Sequence, residues 1–226
     1  MVRWMASPAQ LVRRLSETTG VSLATVTDLD RRLVMGKLRS KGGRGLHVAR
    51  VTPLDAARLL TAILASAQAN LAASAVARYA ATQADPVRSS ETLFAASGLA
   101  DLAALPARHS FVEALECLIA SAADGALAQL IGDSEPHRAP PAIEVFAFTQ
   151  ATCGRIRLAG LPNKMTVNVE YGPAGGSKGR LPKIASRGIT GANETAGDLE
   201  QSRRVTERTI LAVAELLAEE NEDGSA

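Results

Sequence analysis

The sequence is poor in the residue types that catalytic and metal sites use most. It contains only three histidines, two cysteines and 3% aromatic residues among 226. Cys117 and Cys153 form no CxxC pair, a pattern that suits two free thiols in a reducing compartment. No apolar run approaches the about 20 residues that a bilayer span requires. The first residues also lack the apolar core of a secretory signal. We therefore expect a cytoplasmic protein without a membrane partner.

The few candidate chemical sites are incomplete. His109, Glu113 and Cys117 are spaced to share one face of a helix, but no complementary ligand pair occurs elsewhere in the sequence. The glycine-rich stretch 172–180 lacks the order of a phosphate-binding P-loop, because Lys178 follows the serine. It is a basic loop in our interpretation. We expect no catalytic residue, no metal ion and no cofactor, and we predict that the protein is not an enzyme.

Charge is distributed unevenly along the chain, although the net formal charge is only +2. Residues 1–51 carry ten basic against three acidic side chains, and residues 151–190 carry seven against one. From residue 198 onwards, the sequence contains eight acidic and three basic side chains. This asymmetry favours a polyanion as the partner of the N-terminal region, with the acidic end in solvent or against another protein.

The N-terminal region reads as short helices with clear start and stop signals. Ser7 and Pro8 suit a helix N-cap and first turn, and Gly20 suits the left-handed residue that ends this helix. Ser22 can cap a second helix. In it Val26, Leu29 and Leu33 recur at helical spacing and predict one buried stripe.

After Gly36 the pattern changes from helical to alternating. The segments 38–41 and 46–51 alternate weakly around the glycine-rich tip 42–45, which predicts two strands joined by a flexible turn. The segment is rich in basic side chains. We therefore predict a basic two-stranded ribbon over 38–51.

The stretch from Leu15 to Leu29 resembles the helix-turn-helix of bacterial and phage repressors, and Gly20 to Thr27 most closely resembles the LacI-type and phage-repressor version. The small Ser16 stands where the two helices cross, and Val21 fills the core of the turn. The resemblance covers about 23 residues, roughly 11–33. The ribbon that follows resembles the wing of winged-helix proteins.

The resemblance implies that the second helix, at about 22–34, enters the major groove of DNA. Arg31 would then contact guanine, and Leu23 and Ala24 would contact thymine methyl groups. Asp28 departs from the usual neutral or basic residue; it would accept from cytosine or pair with Arg31 or Arg32, and we favour pairing. The predicted DNA-contacting residues are Ser22, Leu23, Ala24, Thr27, Asp28, Arg31 and Arg32 on the helix, and Lys37, Arg39, Lys41, Arg44 and His47 on the wing.

The rest of the chain predicts more helix and a small sheet. Thirteen of the 29 residues at 56–84 are alanine, which predicts a long helix, and further helices are expected at about 89–104 and 107–131. The small alanine faces suit either a compact bundle or a subunit interface. Alternation predicts half-exposed strands at 143–148, 154–158 and 165–171, and a helix is expected from 198 to about 220.

We therefore predict a mainly α protein with a small antiparallel β part: an N-terminal winged helix-turn-helix, central alanine-rich helices, and a C-terminal sheet plus terminal helix. The predicted boundaries are 1–52 for DNA binding, 53–132 for oligomerisation, 143–220 for an α+β domain and 221–226 for a disordered tail.

The predicted function is that of a sequence-specific, DNA-binding transcription regulator of bacterial, prophage or gene-transfer-element type. We expect it to bind double-stranded DNA as a homodimer associated with the nucleoid, with a second protein partner for the C-terminal region. Two alternatives stay open at this point. One is a phage small terminase subunit, which acts in DNA packaging, and the other is a regulator that responds to a small molecule.

Overall fold

The computed structural model describes residues 6–39, 50–90, 93–132, 142–149, 151–159, 166–174 and 201–218. Within these residues the protein has mixed α and β structure, with eight α-helices and one five-stranded antiparallel sheet. The helices are α1 (Pro8–Thr19), α2 (Leu23–Met35), α3 (Pro53–Ala65), α4 (Ala72–Ala80), α5 (Ala100–Ala103), α6 (Phe111–Ala123), α7 (Ala126–Gly132) and α8 (Glu207–Ala218). The strands are β1 (Thr82–Ala84), β2 (Ile143–Phe148), β3 (Gly154–Leu158), β4 (Val167–Pro173) and β5 (Ser202–Thr206).

The helix starts follow side-chain capping. Ser7, Thr52 and Ser110 each accept a hydrogen bond from the backbone three residues later, and the side chain at that later position binds back to the cap. This reciprocal arrangement satisfies backbone N–H groups that a helix start leaves unpaired. The predicted cap at Ser7 is therefore confirmed.

The sheet has the strand order β1-β4-β3-β2-β5, with every neighbouring pair antiparallel. The strands predicted at 143–148 and 154–158 have those bounds, and the third lies at 167–173 instead of 165–171. Val145 on β2 stands opposite Ile156 on β3, which in turn stands opposite Val169 on β4. All three are fully buried, so they mark the inner face of the sheet.

Helices α3 and α6 lie against this inner face, and α8 packs on α6. The ring of Phe111, at the start of α6, lies 5.4 Å from the ring of Tyr171 on β4 and 5.2 Å from that of Tyr79 on α4, measured between centroids. At the end of α3, the carbonyl groups of Ile63 and of the C-cap residue Ser66 accept hydrogen bonds from Arg203 of β5, at 2.6 and 2.9 Å. Because Arg203 binds carbonyls at the end of α3, it satisfies acceptors that the helix itself leaves unpaired.

Four of the helix predictions need correction. The long helix predicted over 56–84 is broken: α3 ends at Ala65, a 3-10 turn covers Ala69–Leu71, α4 follows, and Thr82–Ala84 form strand β1. The helix predicted from 198 begins only at Glu207, because Ser202–Thr206 pair with β2 as an edge strand. The helix predicted at 89–104 is reduced to α5, and that predicted at 107–131 is divided into α6 and α7.

The buried apolar side chains form one continuous cluster that extends from Ala6 to Leu217. Helix α1, in the segment predicted to be a separate domain, packs against α8 near the C-terminus, where Arg14 and Glu215 form an ion pair of 3.9 Å. The alanines of α3, α4 and α6 lie largely inside this cluster. The buried alanines serve close packing within the chain, and the subunit interface predicted for this region stays a prediction.

Among the described residues, no single helix is long and apolar enough to cross a membrane. Only α6 and α7 taken together reach that length and composition, and a bend of 76° separates them.

Candidate nucleic-acid interface

The turn between α1 and α2 is fixed by local contacts that the sequence indicated. Gly20 has a φ of +72°, in the left-handed region that glycine tolerates best, and its N–H donates to the carbonyl of Ser16. The Ser16 hydroxyl donates to the carbonyl of Val21 at 2.7 Å. Val21 itself packs, partly buried, against the core. The two helices are therefore joined by a short, well-anchored turn.

Helix α2 has one buried and one exposed side. Val26, Leu29 and Leu33 form the predicted stripe and are all buried, against α1, α3 and α4. On the opposite side four of the predicted contact residues are exposed together: Ser22, Leu23, Ala24 and Thr27. Arg31 extends this exposed surface along the helix, with 68% of its side chain accessible. We call these five residues the α2 face.

The hydroxyl groups on the α2 face already have local partners. The Ser22 hydroxyl oxygen accepts from the backbone N–H of Thr25 at 3.2 Å and lies 2.8 Å from the Thr25 hydroxyl. The Thr27 hydroxyl donates to the carbonyl of Leu23 at 2.7 Å. A hydroxyl that donates within the helix keeps lone pairs with which it can accept. Ser22 thus caps the helix and remains at the exposed N-terminal end, where backbone N–H groups attract anions.

Asp28 pairs with the neighbouring arginines, as the sequence favoured. Its Oδ1 lies 3.5 Å from Nε of Arg32 and 4.0 Å from Nε of Arg31. Asp28 and Arg32 are both half-buried, whereas Arg31 is exposed. Since exposed pairs of this kind are weak, Arg31 can leave Asp28 for a stronger partner at little cost.

The predicted wing residues divide into three groups. Lys37 is exposed, directly after Gly36, and adopts a left-handed φ of +57° that is uncommon for a residue with a Cβ. Arg39 is only 7% exposed and pairs with Asp30 of α2, so we leave it out of the exposed contact surface. The remaining three, Lys41, Arg44 and His47, lie outside the described residues, as does most of the ribbon predicted over 38–51.

The contact between Asp30 and Arg39 is one that the sequence analysis missed. Nη2 of Arg39 donates to Oδ2 of Asp30 at 2.6 Å, and Nη1 of Arg58 donates to the carbonyl of Leu38 at 2.7 Å. Burial raises the pKa of Asp30, and the Arg39 guanidinium opposes that rise. These bonds fix the chain that leaves α2 against both α2 and α3.

Two further exposed residues were also missed. Thr25 is exposed beside Ser22, and Met35 is exposed at the end of α2. Met35 follows Thr27 and Arg31 at intervals of four, a spacing that places all three on one side of a helix. That spacing could have identified Met35 from the sequence as a further residue on the exposed side of α2.

The triad His109, Glu113 and Cys117 does not form a metal site. His109 precedes α6 and lies 2.9 Å from the Tyr171 hydroxyl through Nε2, while Glu113 accepts from the backbone N–H of Ser110. Burial raises the pKa of Cys117 to about 11, which leaves it a thiol at neutral pH. Within the described part of the chain, no group of three or more histidine, cysteine, aspartate or glutamate residues could hold a metal ion.

Comparison of the chain with protein-family models, with curated proteins and with solved structures finds no match. The chemistry of the α2 face therefore has to be interpreted from its own residues.

Proposed function

We propose that the protein binds double-stranded DNA by placing the α2 face in the major groove, and that it acts as a sequence-specific transcription regulator of bacterial or prophage type. The observation that carries this proposal is the two-sided character of α2. The helix buries Val26, Leu29 and Leu33 and presents a continuous exposed strip from Ser22 to Arg31. A helix exposed along one side, at its N-terminal end, has the form that fits a groove about 12 Å wide.

The side chains on that strip suit base edges as well as phosphates. A guanidinium such as that of Arg31 makes paired hydrogen bonds to O6 and N7 of guanine. Leu23, which is 51% exposed, and Ala24 offer apolar contact to thymine methyl groups. Ser22 and the helix N-terminus suit a phosphate oxygen.

Basic side chains around α2 support the proposal through long-range attraction. Lys37 is exposed at the end of the helix, and the basic excess of residues 1–51 continues through Lys41, Arg44 and His47 in the sequence. Positive charge near the recognition helix accelerates encounter with DNA and strengthens binding at low salt. The contacts of these three wing residues stay a prediction.

We further propose that the protein binds DNA as a homodimer in the cytoplasm, associated with the nucleoid. A single module buries only about 600–1,000 Å² on DNA, which provides modest specificity, whereas a two-fold dimer contacts two half-sites. The half-sites would then be separated by about one helical turn, or 34–36 Å.

The test is a binding titration of purified protein against duplex DNA that has been selected from random sequences. We expect Arg31→Ala to weaken binding about tenfold or more, because a lost bidentate guanine contact is worth about 1–3 kcal/mol. Arg78→Ala removes an equal charge from the exposed side of α4 and serves as the matched control. Equal effects of the two substitutions would contradict the proposed surface.

Genome-wide mapping of bound DNA tests the regulatory role separately. A regulator is expected to occupy palindromic sites at promoters. Occupancy of a single packaging-start site would instead favour the small terminase subunit and would overturn regulation as the function.

A further inference from the structure

The side of the sheet that faces away from the helices has a charged surface of its own. Its side chains alternate with the buried inner residues along β2, β3, β4 and β5, and we call it the outer face. Its members are Glu144, Phe146, Arg155, Arg157, Asn168, Glu170 and Arg204.

On the outer face the negative charge of Glu144 is buried and the positive charges of its two arginine partners are more exposed. Nη1 of Arg157 and Nη1 of Arg204 donate to the two carboxylate oxygens of Glu144, at 2.7 and 2.8 Å. The Glu144 side chain is only 9% exposed, whereas those of Arg157 and Arg204 are 38% and 51% exposed. The anion thus lies beneath two cations, and the accessible layer of the pair is positive.

This arrangement also fixes the two guanidinium groups. Burial alone would raise the pKa of Glu144, but the hydrogen bonds from Arg157 and Arg204 outweigh it and lower that pKa. Glu144 therefore remains ionised and holds both arginines in place. Each guanidinium has five N–H donors, and among the described residues each uses one of them on Glu144, which leaves others for a further anion.

An aromatic ring lies between the cations. The guanidinium carbon of Arg155 is 4.6 Å from the centroid of the Phe146 ring, and that of Arg204 is 5.9 Å from it. Flat guanidinium groups beside an aromatic ring provide planes on which a nucleobase can stack. On the outer face the three arginines exceed the two glutamates by one charge, and Glu170 also pairs with Arg88 at the far side of this face.

We propose that the outer face binds a single strand of nucleic acid, with Arg157 and Arg204 contacting its phosphates. Pre-oriented guanidinium groups match phosphate oxygens in geometry and charge. An unpaired strand can lie across an open sheet with its phosphates on the guanidinium groups and its bases against flat side chains. An acidic peptide without aromatic side chains would gain nothing from these stacking planes.

The outer face is independent of the α2 face. Helix α3 packs against α2 and also against β2 and β5, so it lies between the two surfaces. This inference therefore goes beyond duplex binding and does not depend on it.

The test uses the full chain and a labelled oligothymidine strand of about 20 nucleotides, longer than the about 4–16 nucleotides that one such surface covers. In the variant E144Q/R157Q/R204Q all three charges are removed together, so no buried carboxylate is left without a partner. R78Q has the same change in net charge and is the control. Circular dichroism and the urea midpoint establish that both variants fold.

We expect the triple variant to bind the strand about tenfold more weakly and to lose about 1.4 from the slope of log K against log salt, since each lost phosphate contact removes about 0.7. R78Q should stay within about twofold of the parent. Equal affinity of parent and triple variant, or no binding of the strand by the parent at low salt, would overturn the inference. Oligoglutamate that displaces the labelled strand as well as unlabelled oligothymidine does would also overturn the inference, because the surface would then bind any anion.

The same titration separates this inference from the proposed function. Arg31→Ala should weaken binding of the duplex and leave binding of the single strand unchanged. If the parent binds the strand but no duplex, the proposed function fails and the outer face stands. If the parent binds the duplex but not the single strand, the inference about the outer face fails and the proposed function stands.

Discussion

Arg39 and Asp30 form a largely buried ion pair between the second half of α2 and the chain that follows the helix, with Nη2 and Oδ2 2.6 Å apart. The side chains are 7% and 14% exposed, so water screens the pair only weakly. The pair fixes the chain as it leaves α2, directly before the basic residues 41 and 44. It is thus a structural support of the α2 face.

Removing one partner of this pair should be costly. We predict that Arg39→Ala lowers the free energy of unfolding by about 3 kcal/mol, because it leaves a buried carboxylate without its cation. Arg31→Ala, which removes an exposed pair with Asp28, should change that free energy by less than about 0.5 kcal/mol. Urea titration of both variants measures the difference. Similar values for the two would show that Arg39 is not held as described.

Gly154 provides a second test of packing, at the contact between the sheet and α6. A Cβ at this position would lie 2.8 Å from two carbons of the Phe111 ring and 3.0 Å from the carbonyl oxygen of Phe146. Gly154→Ala should therefore destabilise the protein by about 1–3 kcal/mol through overpacking. Gly132→Ala is the control, because nothing lies within 4 Å of the added carbon. A neutral Gly154→Ala would contradict the close approach of β3 and α6.

His109 should make stability depend on pH in a specific direction. Nδ1 of His109 lies 2.7 Å from the carbonyl of Pro106, which requires an N–H there, so Nε2 accepts from the Tyr171 hydroxyl. Burial lowers the pKa of His109 below its usual value of 6.5, and the hydrogen bond to Pro106 and the charge of Glu113 oppose this only in part. The unfolded chain thus binds the proton first as pH falls.

The stability that neutral His109 contributes is therefore complete above about pH 6.5 and decreases as pH falls from there towards the lower pKa of the folded state. We predict that His109→Gln loses this part of the pH dependence. Urea unfolding at several pH values between about 5 and 7.5, compared for parent and variant, measures it. Parallel pH profiles for the two proteins would contradict a buried neutral histidine.

The continuous core predicts that α1 and α8 unfold together. Leu217 is buried in α8, which packs against α1. Leu217→Ala should cost about 2–5 kcal/mol and should accelerate amide hydrogen exchange in α1 as well as in α8. Arg208→Ala, on the exposed side of α8 and outside the ion pair with α1, is the control. If exchange increased in α8 alone, residues 1–52 would behave as the separate domain that the sequence predicted.

The sequence predicted those parts of the fold in which local signals and packing agree. Ser22, Gly20 and the stripe from Val26 to Leu33 defined α2 because cap, turn and burial all indicate the same helix. Strands β2 and β3 were equally clear, since Ile143–Phe148 and Gly154–Leu158 alternate and have few competing signals.

The missed elements depend on contacts far away in the sequence. The break after Ala65 has no proline or glycine, and it became necessary because β1 pairs with β4 and because Arg203 binds the end of α3. Strand β5 carries Arg203 and Arg204 in succession, so its sequence does not show the alternation of apolar and polar residues that predicts a strand. Its pairing with β2 determines its structure. The outer face was missed for the same reason, because only strand register brings Glu144, Arg157 and Arg204 together.

The most direct test of the central claim is site-specific photo-crosslinking to duplex DNA. A benzophenone side chain at Leu23, on the α2 face, should cross-link to bases of the selected duplex. The same group at Val87, which is 90% exposed and lies outside that face, should not. Cross-links to bases from position 23 alone are the predicted result. Cross-linking from position 87 equal to or greater than that from position 23 would contradict the placement of α2 in the groove.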